Sequence, residues 1–296
     1  MYNIVKTTKY WGGVSVVLVL TSLIFWFIWG LNLGIDFTGG TSMQVSFADN
    51  NRPSVTAVGD YFNSIGIIDA RLQTAGDNGL NISMQQISND QRQQILNNYQ
   101  NLGIIEENFA SVGPTLGKEL KTKSFYAIIL VLLAIIGYIS YAFRKISKGP
   151  VPSWVYGVSA IVALVHDILI VIGVFVVLGH FWNVQIDTLF VTALLTVLGF
   201  SVHDTIVVYD RIREGLKEYP KKSFREIMNE SINNTMARSL NTSLTTLIVL
   251  LVLFLFGGAS IKYFILALLI GIISGTYSSI FIASPLLLLG KKLLKR

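Results

Sequence analysis

Six stretches of the chain, residues 12–31, 124–143, 153–179, 186–208, 239–257 and 263–289, are apolar over lengths that cross a bilayer, a crossing that takes about 20 residues. No other feature constrains the fold as much. A backbone in lipid has no water to bond, so its amides and carbonyls must satisfy one another, and each stretch reads as a helix. Composition agrees. Of 296 residues, 52% are hydrophobic and 14% charged, against about 25% charged in a soluble globule. The absence of Cys excludes disulfides, thiolate nucleophiles and Cys-based metal sites. His166, His180 and His203 are too scattered for a zinc motif. The net charge of +6 flanks apolar spans, so it reads as positive-inside bias and not as a nucleic-acid footprint.

The first apolar run lacks a nearby small-residue cleavage site and reads as a retained anchor. Most of the Lys and Arg residues, among them Lys6, Lys9, Arg144, Lys145, Lys148, Arg211, Arg213, Arg225, Lys291, Lys292, Lys295 and Arg296, fall on one side if both termini are cytoplasmic. Lys118, Lys121 and Lys123 oppose that assignment and are outnumbered.

Three regions follow. Residues 1–33 hold the N-terminus and first span, 34–122 an extracytoplasmic α+β domain, and 123–296 spans two to six. The middle region predicts strand 41–47, helix 54–65, strand 67–73, a turn at Gly76–Gly79, strand 80–86, helix 89–102 and strand 106–112. Val55, Val58 and Phe62 mark one face of the first helix, which stops at Gly66. Ser88 and Gln91 form a capping box for the second. The order βαββαβ is that of a ferredoxin-like domain. Between spans four and five, an amphipathic cytoplasmic loop at 210–238 carries Phe224, Ile227, Met228 and Ser231 on one helical face, the pattern of a helix lying on the membrane surface.

Two copies of Val-His-Asp, at Val165–Asp167 and Val202–Asp204, lie inside apolar spans. A carboxylate at a span's centre costs about 2.5–3.5 kcal/mol, so intramembrane acids are paired or carry protons. Spans three and four form a hairpin turning near Gln185, which places Asp167 and Asp204 at similar depth, roughly 27 Å along their helices. Arg238 opens span five at a comparable level. An Asp that loses water gains proton affinity, and a nearby Arg restores the charged form. Movement of Arg238 past Asp204 therefore couples protonation to conformation. Thr205, Thr242, Thr245 and Thr246 are available to carry water or cap the acid. A static ion pair is the alternative reading. His166 and His203, each next to its Asp in sequence, read as packing or interface residues. Gly271, Gly275, Ser279 and Ala283, at four-residue intervals in span six, let helices approach closely.

The chain resembles the SecD/SecF family of export membrane proteins along nearly its whole length. Gly34, Asp36, Phe37, Gly39 and Gly40 match the G-[aliphatic]-D-F-x-G-G signature, and Val112-Gly113-Pro114 with Gly117–Leu120 matches the next. Gly199–Glu214 is similar to the fourth-span signature, and Asn229–Ile232 with Arg238 and Asn241–Thr246 to the fifth. The outer domain is small, as in the SecF branch. The resemblance implies a six-helix, RND-like half bundle in the bacterial inner membrane that pairs with SecD. The expected function is use of the proton-motive force, without any cofactor, in late preprotein export through the SecYEG channel, with YajC as a further partner. It assigns proton relay to Asp204 and Arg238, with Asp167 and Thr242 as further members. The family more often has Asn where His203 stands. An RND-type exporter of small molecules or lipids is the alternative, and a scaffold whose acids are dispensable is a third reading. No nucleophile–base constellation suggests an enzyme, and Gly39-Gly40-Thr41 lacks the Lys of a phosphate loop.

Overall fold

A computed structural model describes residues 3–48, 51–144 and 150–294. Lys145, Lys148, Lys295 and Arg296, used above for orientation, lie outside the described residues. The chain forms two compact units, one of Leu31–Tyr126 with Gly179–Thr188, the other of Met1–Gly30, Ala127–Leu178 and Leu189–Arg296.

Helix α1 (Ile4–Trp29) is followed by the smaller unit: α2 (Ile35–Thr38), β1 (Gly40–Ser46), α3 (Val55–Ser64), β2 (Arg71–Ala75), β3 (Gly79–Met84), α4 (Asn89–Asn98) and β4 (Ile105–Val112). The sheet is antiparallel throughout in the order β2-β3-β1-β4, which is the ferredoxin-like arrangement expected from βαββαβ. Its central strands alternate between buried and half-buried positions, the pattern of a sheet packed on one face. Met43, Val45, Leu80 and Ile82 meet Val58 and Phe62 of α3, Ile95 of α4 and its C-cap residue Tyr99 in one core.

One strand starts later than the sequence pattern suggests. The stretch 67–73 was expected to be strand, but β2 begins at Arg71. Helix α3 ends in a Schellman turn, in which Gly66 adopts φ 79°. The Ile67 amide donates to the Phe62 carbonyl (2.9 Å) and the Gly66 amide to Asn63 (3.2 Å), and Ile67 buries its side chain. Such a motif uses the apolar residue after the glycine to close the helix end, so Ile67 belongs to the cap. A second positive φ at Asp69 (63°) then redirects the chain.

The larger unit contains α1 and most of each remaining helix: α5 (Pro114–Ala142), which starts in the smaller unit, α6 (Ser153–Trp182), α7 (Thr188–Glu218), α8 (Phe224–Phe256), and a last span built from α9 (Lys262–Ser278), a π-helical segment (Ser279–Ala283) and α10 (Ser284–Leu294). Among the described residues six helices are long and apolar enough to cross a membrane. The stretch 210–238 is not a loop with a surface helix. Helix α7 continues to Glu218 and α8 starts at Phe224, where Ser223 and Glu226 form a capping box. Phe224, Met228 and Ile232 pack into the same core as Ile4, Val5, Tyr156, Tyr209 and Leu287. The apolar face that suggested a membrane surface is satisfied by neighbouring helices.

Phe62 is fully buried in the small unit's core. Phe62→Ala should lower that unit's stability by about 3–5 kcal/mol through the cavity it leaves. Hydrogen exchange on the full-length protein would read this as faster exchange across β1 and β3, with the spans unaffected.

Candidate functional site

Two sets of residues carry the chemistry, one in each unit. In the larger unit the Asp167 side chain on α6 is fully buried. Ser201 of α7 donates its hydroxyl to Oδ2 (2.7 Å), Ser278 of α9 to the same oxygen (2.8 Å), and Ser274 of α9 to Oδ1 (2.8 Å). His166 Nδ1 lies 3.0 Å from Oδ1. Four polar partners thus surround a carboxylate that has about four lone-pair sites. Adjacent helical positions face apart, which makes a packing role the expectation for His166, yet rotation of the two side chains lets them meet. The three serines are not among the expected partners. Their signal was present: Ser274 and Ser278 stand four apart in an apolar span, on one helical face.

The serines reach Asp167 because α9 is pressed against α7. A Cβ on Gly271 would lie 2.2 Å from Val197 Cγ2, and one on Gly275 2.8 Å from Ser201 Cβ. Glycine there removes the side chain that would hold the helices apart. Beyond Ser278 the helix widens into its π segment, a local form that recurs at functional sites.

Asp204, the principal acid expected from sequence, is 3% exposed on α7. Its Oδ2 has no hydrogen-bond partner, while Ser243 of α8 is within reach of the carboxyl group and His203 and Arg238 lie near enough to act on it. Ser243 was not singled out from sequence. Its hydroxyl also lies 2.5 Å from that of Thr276, which ties α8 to α9 beside the acid. Arg238 lies exposed on α8 and forms no ion pair among the described residues. Thr242 is exposed too, and its hydroxyl donates to the Arg238 carbonyl (3.0 Å). Thr205 donates to Ser201, and Thr245 and Thr246 to Thr242, all at carbonyl oxygens of their own helices. None of these threonines caps an acid, because a helical Thr finds its i−4 or i−3 carbonyl first.

An exposed polar seam runs along α8. Asn234, Arg238, Asn241 and Thr245 follow at spacings of four, three and four, with Thr242 beside them and exposed His203 on α7. That is the period of a helix–helix contact, and these are residue types that lipid does not favour.

In the smaller unit the residues Gly34–Gly40 form a joint. Leu33 bridges to Ile186 in parallel, the Gly34 amide donates to the Ile186 carbonyl (2.8 Å), and the Ile186 amide to that of Asn32 (2.9 Å). Asp36 Oδ2 accepts from the Thr188 amide (2.9 Å) and its hydroxyl (2.6 Å), so it caps the first residue of α7. Phe37 is buried. Gly39 has φ 75°, and a Cβ there would meet Pro114 Cα at 2.8 Å. Gly40 has φ 133°, and its Cβ would meet the Met84 carbonyl oxygen at 2.5 Å. A Cβ on Gly117 would lie 2.8 Å from the Gly39 nitrogen. The glycine pair and the Gly113–Gly117 stretch are therefore two halves of one close contact between the start of β1 and the start of α5.

Comparison with known proteins identifies this pattern. The family profile described as "Protein export membrane protein SecD/SecF, C-terminal" matches residues 91–292, and "SecD/SecF GG Motif" matches residues 24–50. A protein translocase subunit SecF of Thermobaculum terrenum is 43% identical, over 97% of this chain and 93% of that one. One from Anaerolinea thermophila is 41% identical, over 98% and 94%. A crystal structure of SecDF, a translocon-associated membrane protein from Thermus thermophilus, superposes with a TM-score of 0.87 at 31% identity. It covers 98% of this chain, which spans only 39% of the SecDF chain.

The joint makes two predictions. Asp36→Ala removes a helix cap, which should cost about 0.5–2 kcal/mol and speed amide exchange at the first turn of α7, with Asp36→Asn intermediate. Gly40→Ala should destabilise the small unit, whereas Gly59→Ala, inside α3 with its nearest neighbour 3.7 Å away, should stabilise it by about 1 kcal/mol. Thermal or protease-resistance measurements on the two variants would test the opposite signs.

Proposed function

The chain belongs to the SecD/SecF family of protein-export membrane proteins, and we propose that it acts as the SecF-type subunit of a Sec translocase, pairing with SecD and using the proton-motive force to assist late steps of preprotein export. The observation that carries this reading is a half-built polar site. Asp204 is buried with one oxygen unpartnered, while Arg238, Asn241, Thr242 and His203 are exposed around it on membrane-spanning helices. An Arg facing hydrocarbon costs about 2.5–3.5 kcal/mol. A second chain that covers the seam on α8 removes that cost and encloses the acid. The similar SecDF chain is much longer than this one, and SecD is the partner that supports.

In this reading Asp204 takes and releases the proton, since an oxygen without a hydrogen bond is open to one. Arg238 answers the change in charge. Asp167, with both oxygens occupied by hydroxyls, holds α6, α7 and α9 in register. Asp36 caps the first residue of α7 at Thr188, and Asp204 follows 16 residues later on the same helix.

Energy bounds what one proton can do. One proton crossing 100 mV releases about 2.3 kcal/mol, whereas shifting a conformer from 1:99 to 99:1 takes about 5.5 kcal/mol. More than one proton, a pH gradient or a shared load with the partner is required. No cofactor enters, and the chain works as a translocase subunit and not as an enzyme. The protein is a multi-pass membrane protein. We place it in the bacterial inner membrane with both termini cytoplasmic, and take the SecYEG channel, YajC and the translocating preprotein as further contacts. The named relatives disfavour the small-molecule exporter reading.

Asp204→Asn should insert normally and lose proton-gradient-dependent translocation of a preprotein into inverted membrane vesicles. Gradient-independent translocation should persist at the level seen with an uncoupler. Full gradient-dependent export by this variant would remove Asp204 from the relay. Arg238→Lys keeps the charge but loses the planar fork and should fail as well; an active Lys variant would reduce Arg238 to a point charge.

A further inference from the structure

Between α1, α6 and the last span lies a groove of about 950 Å³ that no step above uses. Its walls are mostly aliphatic, and three cations converge at one end: Lys9 from α1, Arg225 from the start of α8 and Lys292 from α10. Among the described residues none of the three forms an ion pair; Arg225 reaches only the Val5 carbonyl (3.4 Å). All three stand at the end of the bundle where α1 starts and α10 stops.

We infer that this groove seats an acyl chain of an anionic phospholipid, with the phosphate among Lys9, Arg225 and Lys292. The dimensions agree. Along α1 the lining runs from Val5 to Leu20, and the part beyond the Lys9 cation is about 16 Å long at 1.5 Å per residue. One leaflet of a ~30 Å hydrocarbon core is about 15 Å deep. The cations therefore stand at headgroup level while the aliphatic walls follow one chain toward the midplane. Basic pockets between spans at the cytoplasmic face bind anionic headgroups in this way. Charge argues against a protein helix as the occupant, because an apolar helix leaves three cations unanswered. Gly12 lines the groove, and a Cβ there meets nothing within 4 Å. The groove passes His166, the hydrogen-bond partner of Asp167, so an occupant lies one residue from the buried acid.

The test is native mass spectrometry of the full-length protein, delipidated in detergent, alone and with its co-purifying partner. Phosphatidylglycerol and phosphatidylcholine of equal chain length are titrated in. Phosphatidylglycerol should bind about 10–100-fold more tightly, the scale that two or three basic side chains at a membrane surface supply. The combined variant Lys9→Gln, Arg225→Gln, Lys292→Gln should abolish that preference while keeping weak binding of both lipids. Gly12→Leu should fill the groove and weaken both. Equal binding of the two lipids by the unaltered protein, a preference that survives the triple variant, or lipid binding indifferent to Gly12→Leu would each overturn the assignment. Loss of the lipid whenever the partner chain is bound would make the groove a protein interface instead, and displacement by inorganic phosphate alone would make it a free-anion site.

Discussion

A carboxylate held away from water must be answered by dipoles or charges from its surroundings, and the packing of the membrane unit is arranged to meet that demand at Asp167. Three seryl hydroxyls and a histidine nitrogen occupy its two oxygens. They come from α6, α7 and α9, so the acid cannot be satisfied unless those helices are in register. The close approach that brings Ser274 and Ser278 near depends on Gly271 and Gly275, where any side chain would collide with α7. Small residues and buried acid are two sides of one arrangement. Helices in lipid lack a hydrophobic drive to associate, and here a polar cluster supplies a specific reason for one geometry.

Asp204 contrasts with it on the neighbouring turn of α7. It is nearly as buried, yet one oxygen is left without a partner and the cation expected to pair with it lies on an exposed face. A satisfied acid holds structure, whereas an unsatisfied one is held in place by the fold around it and is open to exchange. Both stand on one helix pair, so the packing around each acid sets the difference between them. The signature at Gly34–Gly40 adds a mechanical element. Its glycines permit backbone contacts no other residue allows, and its aspartate caps α7.

Much of this was legible in residue patterns. The six spans, the βαββαβ order and the Ser88 cap were readable because apolar period, glycine stops and capping boxes are local. Asp204, Arg238 and Asp167 stood out because an ionisable group in an apolar run is costly. Other readings failed for an equally physical reason. The face carrying Phe224, Ile227 and Met228 looked like a membrane-surface helix, since amphipathicity states that a face is apolar without saying what covers it. The threonines near the acid looked available, but their own helix carbonyls lie closer. Ser201, Ser243, Ser274 and Ser278 were passed over, as a serine in an apolar span has no distinguishing mark until its partner is known.

By itself the sequence determined how many helices cross the bilayer, which small domain interrupts them and which charges are trapped inside. Those follow from transfer free energy and backbone hydrogen bonding, which act on neighbouring residues. Tertiary structure alone decided that Asp167 is saturated and Asp204 is not, that Asp36 reaches across 152 positions to Thr188, and that Lys9, Arg225 and Lys292 share one groove. Each of these depends on distance between segments far apart in the chain, and only packing sets that distance.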